Sequence, residues 1–367
     1  MSEIPIADPQ LGDEEIEAVT EVLEAGDLAA GDAVAEFEDA FAEYCGTEHA
    51  VATSNGTTAL HTALVSAGIG PGDTVLTTAF SFVATANVIR LAGAEPVFAD
   101  INPETFALDP DAAESRIEAL DGDVDAIMPV HLFALAADMD RFEALGKKYD
   151  ATIIEDAAQA HGAKYHTKHA GSLGDVACFS FYPTKNITSG EGGIITTNDE
   201  EIAANARSFI NHGRTAGGYG YEHERLGHNF RMTNISGAIG RIQTDRLEEK
   251  VAQRRSNAAR LNEYLEPTAA ISPVEPDGRF HAYNQYTIRV GNRDALQADL
   301  TDRGVGTSIY YPTPIHKYPM YERPDQSFPY AEQASREVLS LPVHPELSDA
   351  DLNRIGEAMR DSTVEHV

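Results

Sequence analysis

The first two thirds of the chain alternate between short apolar runs and amphipathic stretches. The opening stretch "GDEEIEAVTEVLEAGD" spaces its apolar residues three and four apart and predicts an acidic helix. Beyond it, runs such as "HAVATS", "TVLTT" and "EPVFADI" are separated by helical patterns such as "TTALHTALVSAGI". Strands and helices alternating at this spacing predict βαβ units, and therefore an α/β fold with a mostly parallel sheet and helices on both faces.

A second, smaller part follows this alternation. The charged helical stretch "TDRLEEKVAQRRSNAARLNEYLEP" leads into a strand pattern, "NQYTIRV", and a helix pattern, "RDALQADLTDRG". A loop rich in proline and aromatic residues, "GTSIYYPTPIHKYP", comes next. We therefore predict a large domain over residues 1–245, including the N-terminal helical segment, and a smaller α+β C-terminal domain over residues 246–367.

Composition narrows the classes of partner. The 367 residues are 42% hydrophobic and 23% charged, with a formal net charge of −32. This much negative charge argues against nucleic acid or an anionic membrane as partner. The N-terminus resembles no signal peptide and no apolar run approaches membrane-spanning length, so we expect a cytoplasmic protein. Cys45 and Cys178 lie far apart and suggest neither a disulfide framework nor a zinc site.

The acidic residues are spread along the chain and are typical of solvated helix faces. Only seven of the 27 basic residues are lysines. An acidic surface poor in lysine is typical of proteins from salt-loving organisms, because salt screens the repulsion between carboxylates. A high-salt habitat is therefore a hypothesis that low-salt stability can test.

Ligands of parallel sheets bind at the carboxyl ends of the strands, so residues just after each strand carry the functional predictions. After "HAVAT" come Ser54 to Thr58, which could cradle a phosphate at a helix N-terminus. An ordinary N-cap explains these residues better when they are taken alone. After "TVLTT" comes Phe82, which could stack on a flat ring, although such an aromatic is more often part of a core.

Two further strand ends carry ionisable groups. Glu155 and Asp156 end the run "ATII", with Gln159 just beyond, and a carboxylate there is costly to bury unless it is paired. A structural salt bridge and a ligand contact are equally good interpretations of this segment. Lys185 follows "VACFSF", and a sheltered lysine can bind a carbonyl compound covalently. A surface lysine is the ordinary alternative, which the scarcity of lysine weakens.

The four strand ends together match the requirements of one cofactor. Pyridoxal 5'-phosphate needs a phosphate cradle, a stacking aromatic, a carboxylate for its ring nitrogen and a lysine for its aldehyde. The sequence therefore predicts that Lys185 holds pyridoxal phosphate. Histidines 161, 166 and 169 could suggest a metal, but their context also fits a solvated turn, and we expect no metal site.

Seven ordered blocks resemble the DegT/DnrJ/EryC1/StrS family, the nucleotide-sugar aminotransferases of fold type I. Besides the N-terminal block they are "SNGTTAL", "FSFVATAN", "EDAAQAHGA", "GSLGDVACFSFYPTKNITSGEGG", "LGHNFRMTNISGAIG" and "YYPTPIH". The resemblance implies that Lys185 binds the cofactor and moves the proton, Asp156 binds the pyridine nitrogen and Gln159 the ring hydroxyl. It also implies that Phe82 stacks on the ring. The phosphate would be held by Gly56, Thr57, Thr58, Ser180 and, from the neighbouring subunit of a homodimer, Asn229.

The resemblance further implies transfer of an amino group from L-glutamate to a keto group of a nucleotide-linked deoxy sugar, for glycan or polysaccharide assembly. "GEGG" resembles members that aminate carbon 4, which we weakly favour, whereas Tyr182 resembles members acting at carbon 3. Sugar-dehydrating members carry His in place of Lys185. Residues expected to line the sugar-nucleotide site, with ordinary loop packing as an equal alternative, are Tyr182, His212, Arg214, Tyr310, Tyr311 and His316.

Rival functions remain at this point. An amino-acid aminotransferase or a decarboxylase would want an arginine for the substrate carboxylate, and no motif marks one. A regulatory protein that binds pyridoxal phosphate is a second alternative, which the intact set of Lys185, Asp156, Gln159 and Asn229 makes the poorer one. A purely structural α/β protein would leave the four strand ends unexplained.

Overall fold

A seven-stranded sheet forms the centre of the larger part of the molecule. The computed structural model describes residues 3–215, 222–323 and 325–362. In spatial order the strands are β1 (His49–Thr53), β9 (Gly193–Thr197), β8 (Val176–Ser180), β5 (Thr152–Asp156), β4 (Ala126–Met128), β2 (Thr74–Thr78) and β3 (Glu95–Ala99). Neighbours pair in parallel except where β9 is involved. The predicted α/β fold with a mostly parallel sheet is confirmed.

Helices cover both faces of this sheet. The helices of this part are α1 (Asp13–Ala25), α2 (Asp32–Cys45), α3 (Gly56–Ser66), α4 (Ala84–Ala92), α5 (Pro110–Glu118), α6 (Met139–Tyr149), α7 (Glu200–Phe209) and α8 (Asn234–Asp245). Successive residues of β8 show the two faces, because Phe179 packs in a cluster with Phe41 of α2 and Cys178 packs in a cluster with Leu60 of α3. The strand ends are thus held between two apolar layers.

Helix ends follow local signals that the sequence carries. The side chains of Asn55, Asp109 and Asp199 accept backbone N–H groups at the starts of α3, α5 and α7. Gly26 and Gly46 end α1 and α2 with φ of 78° and 76°, a left-handed conformation that favours glycine. These caps set where each helix begins relative to the sheet edge.

The C-terminal part has an apolar core of its own around Tyr286, Leu339 and Ile355. Two of its strands, residues 286–289 and 338–341, pair antiparallel, and residues 279–280 pair instead with residues 164–165 of the larger part in a separate small sheet. The bounds are α9 (Leu247–Leu265), α10 (Arg293–Asp302), α11 (Pro329–Glu337), α12 (Asp349–Asp361), β6 (Lys164–Tyr165), β7 (Lys168–His169), β10 (Arg279–Phe280), β11 (Tyr286–Arg289) and β12 (Val338–Leu341). The predicted domain boundary after residue 245 falls between α8 and α9 and stays a prediction.

Within the three described ranges, no helix is both long enough and apolar enough to cross a membrane.

Candidate active site

The carboxyl ends of β5 and β8 bring a carboxylate and a lysine together. Asp156 is the last residue of β5 and is only 4% exposed. Its Oδ2 accepts a hydrogen bond from Thr85 Oγ1 at 2.7 Å, and its Oδ1 accepts one from the Ala158 N–H at 3.2 Å. Burial raises the pKa of Asp156, although these hydrogen bonds and the charge of Lys185 oppose the rise. The carboxyl group thus lies in a sheltered pocket beside a cation.

Lys185 lies five residues beyond the end of β8, in a turn where its N–H donates to the Tyr182 carbonyl at 2.9 Å. The side chain keeps some contact with solvent but is desolvated enough that burial lowers its pKa to about 8. The Asp156 carboxylate works against this shift. A lysine with this pKa is partly neutral near physiological pH, which is the form that attacks a carbonyl.

Gln159 connects the strand-end loop to the C-terminal part. Its Oε1 accepts from the Phe133 N–H at 2.7 Å, and its Nε2 donates to the Tyr311 hydroxyl at 3.0 Å. The Tyr311 ring lies 6.0 Å from the ring of Phe82, which is 55% exposed. The exposed face of Phe82 therefore borders the same space as Gln159 and Tyr311.

The N-terminus of α3 approaches the end of β8. A Cβ added to Gly56 would lie 2.6 Å from Ser180 Cβ, so only glycine allows this approach. Thr57 is exposed in the first turn of α3. The Thr58 hydroxyl is hydrogen-bonded within the cap, donating to Asn55 O at 2.8 Å and accepting from Asn55 N at 3.1 Å. The N-cap interpretation therefore describes Thr58. Gly56, Thr57 and Ser180 lie at a helix N-terminus, where backbone N–H groups could bind an anion.

Two residues of the site, Thr85 and His131, were not predicted from the sequence. Thr85 lies in the quoted block "FSFVATAN", four residues beyond Ser81, whose hydroxyl it contacts at 2.9 Å. His131 donates from Nε2 to Glu155 Oε2 at 2.9 Å, since its Nδ1 accepts from the Ala137 N–H. Their roles depend on contacts between distant parts of the chain, which spacing alone does not show.

The three histidines weighed as metal ligands do not converge. His161 is fully buried among the rings of Phe41, Phe179 and Phe181. His166 contacts Asp140 at 3.2 Å, and His169 packs its ring against Tyr44. Across the described ranges, no group of three or more His, Cys, Asp or Glu side chains is arranged to hold a metal ion.

Comparison with known proteins decides the family. The sequence profile of the DegT/DnrJ/EryC1/StrS aminotransferase family matches residues 9–360. The chain belongs to this family. It is 41% identical, over 96% of its length and 95% of the relative's, to a pleiotropic regulatory protein of Geobacillus stearothermophilus. It is 37% identical, over 93% and 94%, to a UDP-2-acetamido-2-deoxy-3-oxo-D-glucuronate aminotransferase of Pseudomonas aeruginosa.

Solved structures agree with this assignment. The structure of DesV from S. venezuelae superposes with a TM-score of 0.94 at 35% identity, covering 98% of each chain. The protein is accordingly a pyridoxal-phosphate-dependent sugar aminotransferase of the DegT/DnrJ/EryC1/StrS family. The cofactor and the enzyme class predicted from the sequence are confirmed.

The residues present fit this cofactor. Asp156 is a buried carboxylate with no ion-pair partner within 4 Å among the described residues, a costly arrangement that a protonated ring nitrogen would relieve. Gly56 brings the first turn of α3 close to Ser180, and the backbone N–H groups of that turn could donate to a phosphate. Lys185 supplies an amine of lowered pKa. Asp156, Lys185, Gly56 and Ser180 would therefore hold the nitrogen, the aldehyde and the phosphate.

The residues that the family resemblance placed at the sugar-nucleotide site lie in different surroundings. Tyr182 is 49% exposed, and the ring of Tyr310 lies 5.8 Å from that of Tyr311. His212 is exposed and Arg214 partly buried, both just before residues 216–221, which lie outside the described ranges. His316 is buried, with Nε2 3.1 Å from Glu332 Oε1 and its ring against Phe328. For His316, the structure therefore favours ordinary loop packing over a contact with the sugar nucleotide.

Asn229 lies on the surface, where its backbone forms a bridge to Asn211. The neighbouring Arg231 pairs with Thr53 at the end of β1, close to the start of α3. An exposed asparagine at this edge is available to a second subunit, and its role there stays a prediction.

Proposed function

We propose that this aminotransferase moves the amino group of L-glutamate to a keto group of a nucleotide-linked deoxy sugar used in glycan or polysaccharide biosynthesis. The observation that carries the proposal is Lys185, whose pKa burial lowers to about 8, beside the buried carboxylate of Asp156. A lysine of this pKa can both release and accept a proton near neutral pH. The bound cofactor supplies the electron sink and carries the amino group.

Each protein group has a separate task in this proposal. Asp156 keeps the ring nitrogen protonated, and Thr85 holds the carboxylate in place through its 2.7 Å hydrogen bond. Lys185 transfers a proton between the substrate carbon and the cofactor. Phe82 and Gln159 orient the ring, and the first turn of α3 binds the phosphate.

An absorbance spectrum of the purified protein, taken before and after adding excess L-glutamate, tests the proposal. We expect a yellow band that decreases as the amino group moves to the cofactor, with formation of one 2-oxoglutarate per subunit. A colourless protein that cannot be reconstituted with pyridoxal phosphate would contradict the role of Lys185. A yellow band unchanged by glutamate but lost with another amino acid would contradict only the donor.

The sugar position has two candidates. The "GEGG" segment after Lys185 favours carbon 4, whereas Tyr182 and the 3-oxo sugar in the name of the Pseudomonas relative favour carbon 3. Incubating the amino form of the enzyme with 4-keto and 3-keto sugar nucleotides separates them. Mass spectrometry detects the amino product, and NMR gives the aminated carbon.

A regulatory role is the second candidate function, because a 41% identical relative is named a pleiotropic regulatory protein. The Lys185→Ala variant separates the two roles. An aminotransferase should lose nearly all turnover, roughly 10⁴-fold or more when both the covalent attachment and the proton transfer are removed. A regulator acting through its folded surface would keep its cellular phenotype in the same variant.

A further inference from the structure

A cleft of about 380 Å³ opens beside Lys185 at the junction between α8 and α9. Its walls come from four segments that are distant in sequence. They are residues 7–10 before α1, residues 183–188 around Lys185, side chains of residues 243–254, and residues 345–346. None of the roles assigned above uses the α9 side of this cleft.

The α9 wall carries a buried cation without a carboxylate partner. Arg254 is 5% exposed, and its Nη1 donates to the carbonyl oxygens of Tyr283 and Asn284 at 3.2 and 3.4 Å. Its Nε has no hydrogen-bond partner, and no carboxylate among the described residues forms an ion pair with it. Burying an unpaired guanidinium costs desolvation free energy, and an anion bound in the cleft would offset that cost.

A second cation lies one turn earlier on the same helix. Lys250 donates to Gln243 Oε1 at 2.8 Å and likewise has no ion pair among the described residues. Burial, together with the neighbouring charge of Arg254, lowers the pKa of Lys250 to about 8. Arg246, by contrast, is already paired with Glu14 and Glu15. Two unpaired cations therefore face one cavity.

The wall that carries Lys185 adds an unpartnered acceptor. Asn186 is 2% exposed, its Nδ2 donates to the His161 and Ala282 carbonyl oxygens, and its Oδ1 accepts nothing. Three carboxylates, Asp8, Glu249 and Glu346, also line the cleft. The cleft thus offers partners for a ligand that combines negative groups with a donor such as an ammonium.

The lining disfavours a nucleotide as this ligand. No aromatic side chain is among the described residues that line the cleft, so a nucleobase would find no ring to stack on. The rings of Phe82, Tyr310 and Tyr311 lie together elsewhere at the site. A short, flexible amino acid with carboxylate groups matches both the charges and the size of the cleft.

We propose that this cleft binds a carboxylate of the amino donor, with Arg254 as its principal partner and Lys250 as the second. The inference rests on the proposed function, because it assigns the donor of that reaction to a particular wall of the site. Since Lys185 lines the same cleft, a donor anchored at Arg254 would present its amino group towards the lysine. The sequence marked no arginine for a substrate carboxylate, and the fold supplies one from α9.

Isothermal titration of the cofactor-loaded enzyme with 2-oxoglutarate measures this binding directly. We expect Arg254→Met to weaken binding on the order of 10- to 100-fold, the range for loss of a charged hydrogen bond. Lys250→Gln should weaken it less and serves as the second variant if Arg254→Met does not fold. Arg260→Met is the matched control, because Arg260 is on the same helix but pairs with Asp349 outside the cleft.

A titration with L-glutamate, followed by the absorbance of the cofactor, gives a second readout. Arg254→Met should raise the glutamate concentration for half-maximal conversion by a similar factor and leave the limiting rate nearly unchanged. Equal 2-oxoglutarate affinity in the wild type and Arg254→Met would overturn the inference. Pyrophosphate binding that needs Arg254, without competition from 2-oxoglutarate, would assign the cleft to a diphosphate and overturn it as well.

Failure of the proposed function looks different. If the wild-type absorbance responds to no amino acid, the aminotransferase proposal fails whatever Arg254 does. If the wild type converts with glutamate and Arg254→Met titrates identically, only the cleft assignment fails.

Discussion

Glu155 and Asp156 are adjacent carboxylates at the end of one strand, and they have separate roles. Successive side chains of a strand point to opposite faces. The Glu155 carboxylate accepts hydrogen bonds from the N–H groups of Gly171, Leu173 and Gly174 and from the His131 ring. Its oxygens are therefore satisfied by groups within the fold. Asp156 faces the lysine instead and has no ion-pair partner within 4 Å in the described part of the chain. One carboxylate is structural and the other is available to the cofactor.

The pH dependence of cofactor attachment should report the environment of Lys185. Because burial lowers its pKa to about 8, the neutral amine should increase about tenfold per pH unit below 8 and level off above it. We therefore expect the rate of reconstitution of the apoenzyme with pyridoxal phosphate to reach a plateau just above pH 8. Stopped-flow absorbance between pH 7 and 10 measures it. A rate still rising at pH 10 would show an ordinary lysine.

The Asp156→Asn variant tests the cause of this value. The charge of Asp156 raises the pKa of Lys185, so its removal should move the plateau to lower pH. Asp140→Asn is a suitable control, because Asp140 is exposed and contacts His166 instead. An unchanged profile in Asp156→Asn would mean that the two groups are not coupled.

At this scale the sequence identified single residues better than their partners. Lys185, Asp156 and Gln159 are predicted because each lies at or within five residues of the carboxyl end of a strand. The hydrogen bond from Gln159 to Tyr311 joins residues about 150 positions apart, and the one from Arg254 to the Tyr283 carbonyl joins residues about 30 positions apart. Such contacts depend on how the C-terminal part packs, which no local pattern encodes.

At the scale of elements, the start of α3 and the end of β8 meet through one close approach, and this is the corner at which we expect the phosphate to bind. Gly56→Ala would place Cβ 2.6 Å from Ser180 Cβ and force the two elements apart. We expect a loss of about 1–3 kcal/mol in the free energy of unfolding and at least tenfold weaker cofactor binding, measured by urea denaturation and by absorbance titration.

A second substitution makes this expectation specific. Ser180→Gly in the Gly56→Ala background removes the clashing atom and should restore most of the stability, although it also removes the Ser180 hydroxyl. Gly70→Ala is the control, because its added Cβ would meet nothing nearer than 3.8 Å. If Gly56→Ala binds the cofactor as tightly as the wild type, the corner does not hold the phosphate.

The positions of the strands agree closely with the hydrophobic pattern of the sequence. The pattern does not show whether a strand pairs parallel or antiparallel with its neighbours. The runs "TVLTT" and "VACFS" coincide with β2 and β8. The run "GGIITT" gives β9, but its antiparallel insertion between β1 and β8 is decided by the short connection from β8 and by pairing on both sides. Helix α2 was not predicted, although its buried residues, such as Phe37 and Phe41, follow a helical spacing.

At the scale of the whole molecule, the proposed homodimer predicts complementation between inactive variants. Lys185→Ala and Asn229→Asp should each lower activity strongly, the second because a carboxylate would repel the phosphate of the partner's cofactor. Mixed and refolded together, the two form heterodimers in which one site carries both changes and the other carries neither. We expect about a quarter of the wild-type activity from a random mixture.

The control is a mixture of Lys185→Ala with Asp156→Asn, two changes within one site. No heterodimer of that pair has an intact site, so its activity should stay at the level of the separate variants. Absence of recovery in the first mixture, with heterodimers shown by native mass spectrometry, would mean that Asn229 acts within its own subunit or not at all.

The net charge of −32 predicts that salt stabilises the whole fold. Carboxylates on a common surface repel one another, and the Debye length shortens from about 10 Å at 0.1 M to about 3 Å at 1 M. We expect Tm to rise on the order of 10 °C between 0.1 and 2 M NaCl, or about 3–5 kcal/mol at roughly 2–4 °C per kcal/mol. Scanning calorimetry measures the rise.

A charge-reduced variant separates screening from other effects of salt. Glu17, Glu21 and Glu24 are exposed residues of α1 for which no salt bridge is seen among the described residues. Their joint replacement by Gln removes three negative charges and should raise Tm at 0.1 M NaCl, with a smaller further gain at 2 M. Screening predicts this convergence because the charges that salt would mask have already been removed. Equal Tm values for the wild type in low and high salt would instead show that the acidic surface costs no stability, and the hypothesis of a high-salt habitat would lose its physical basis.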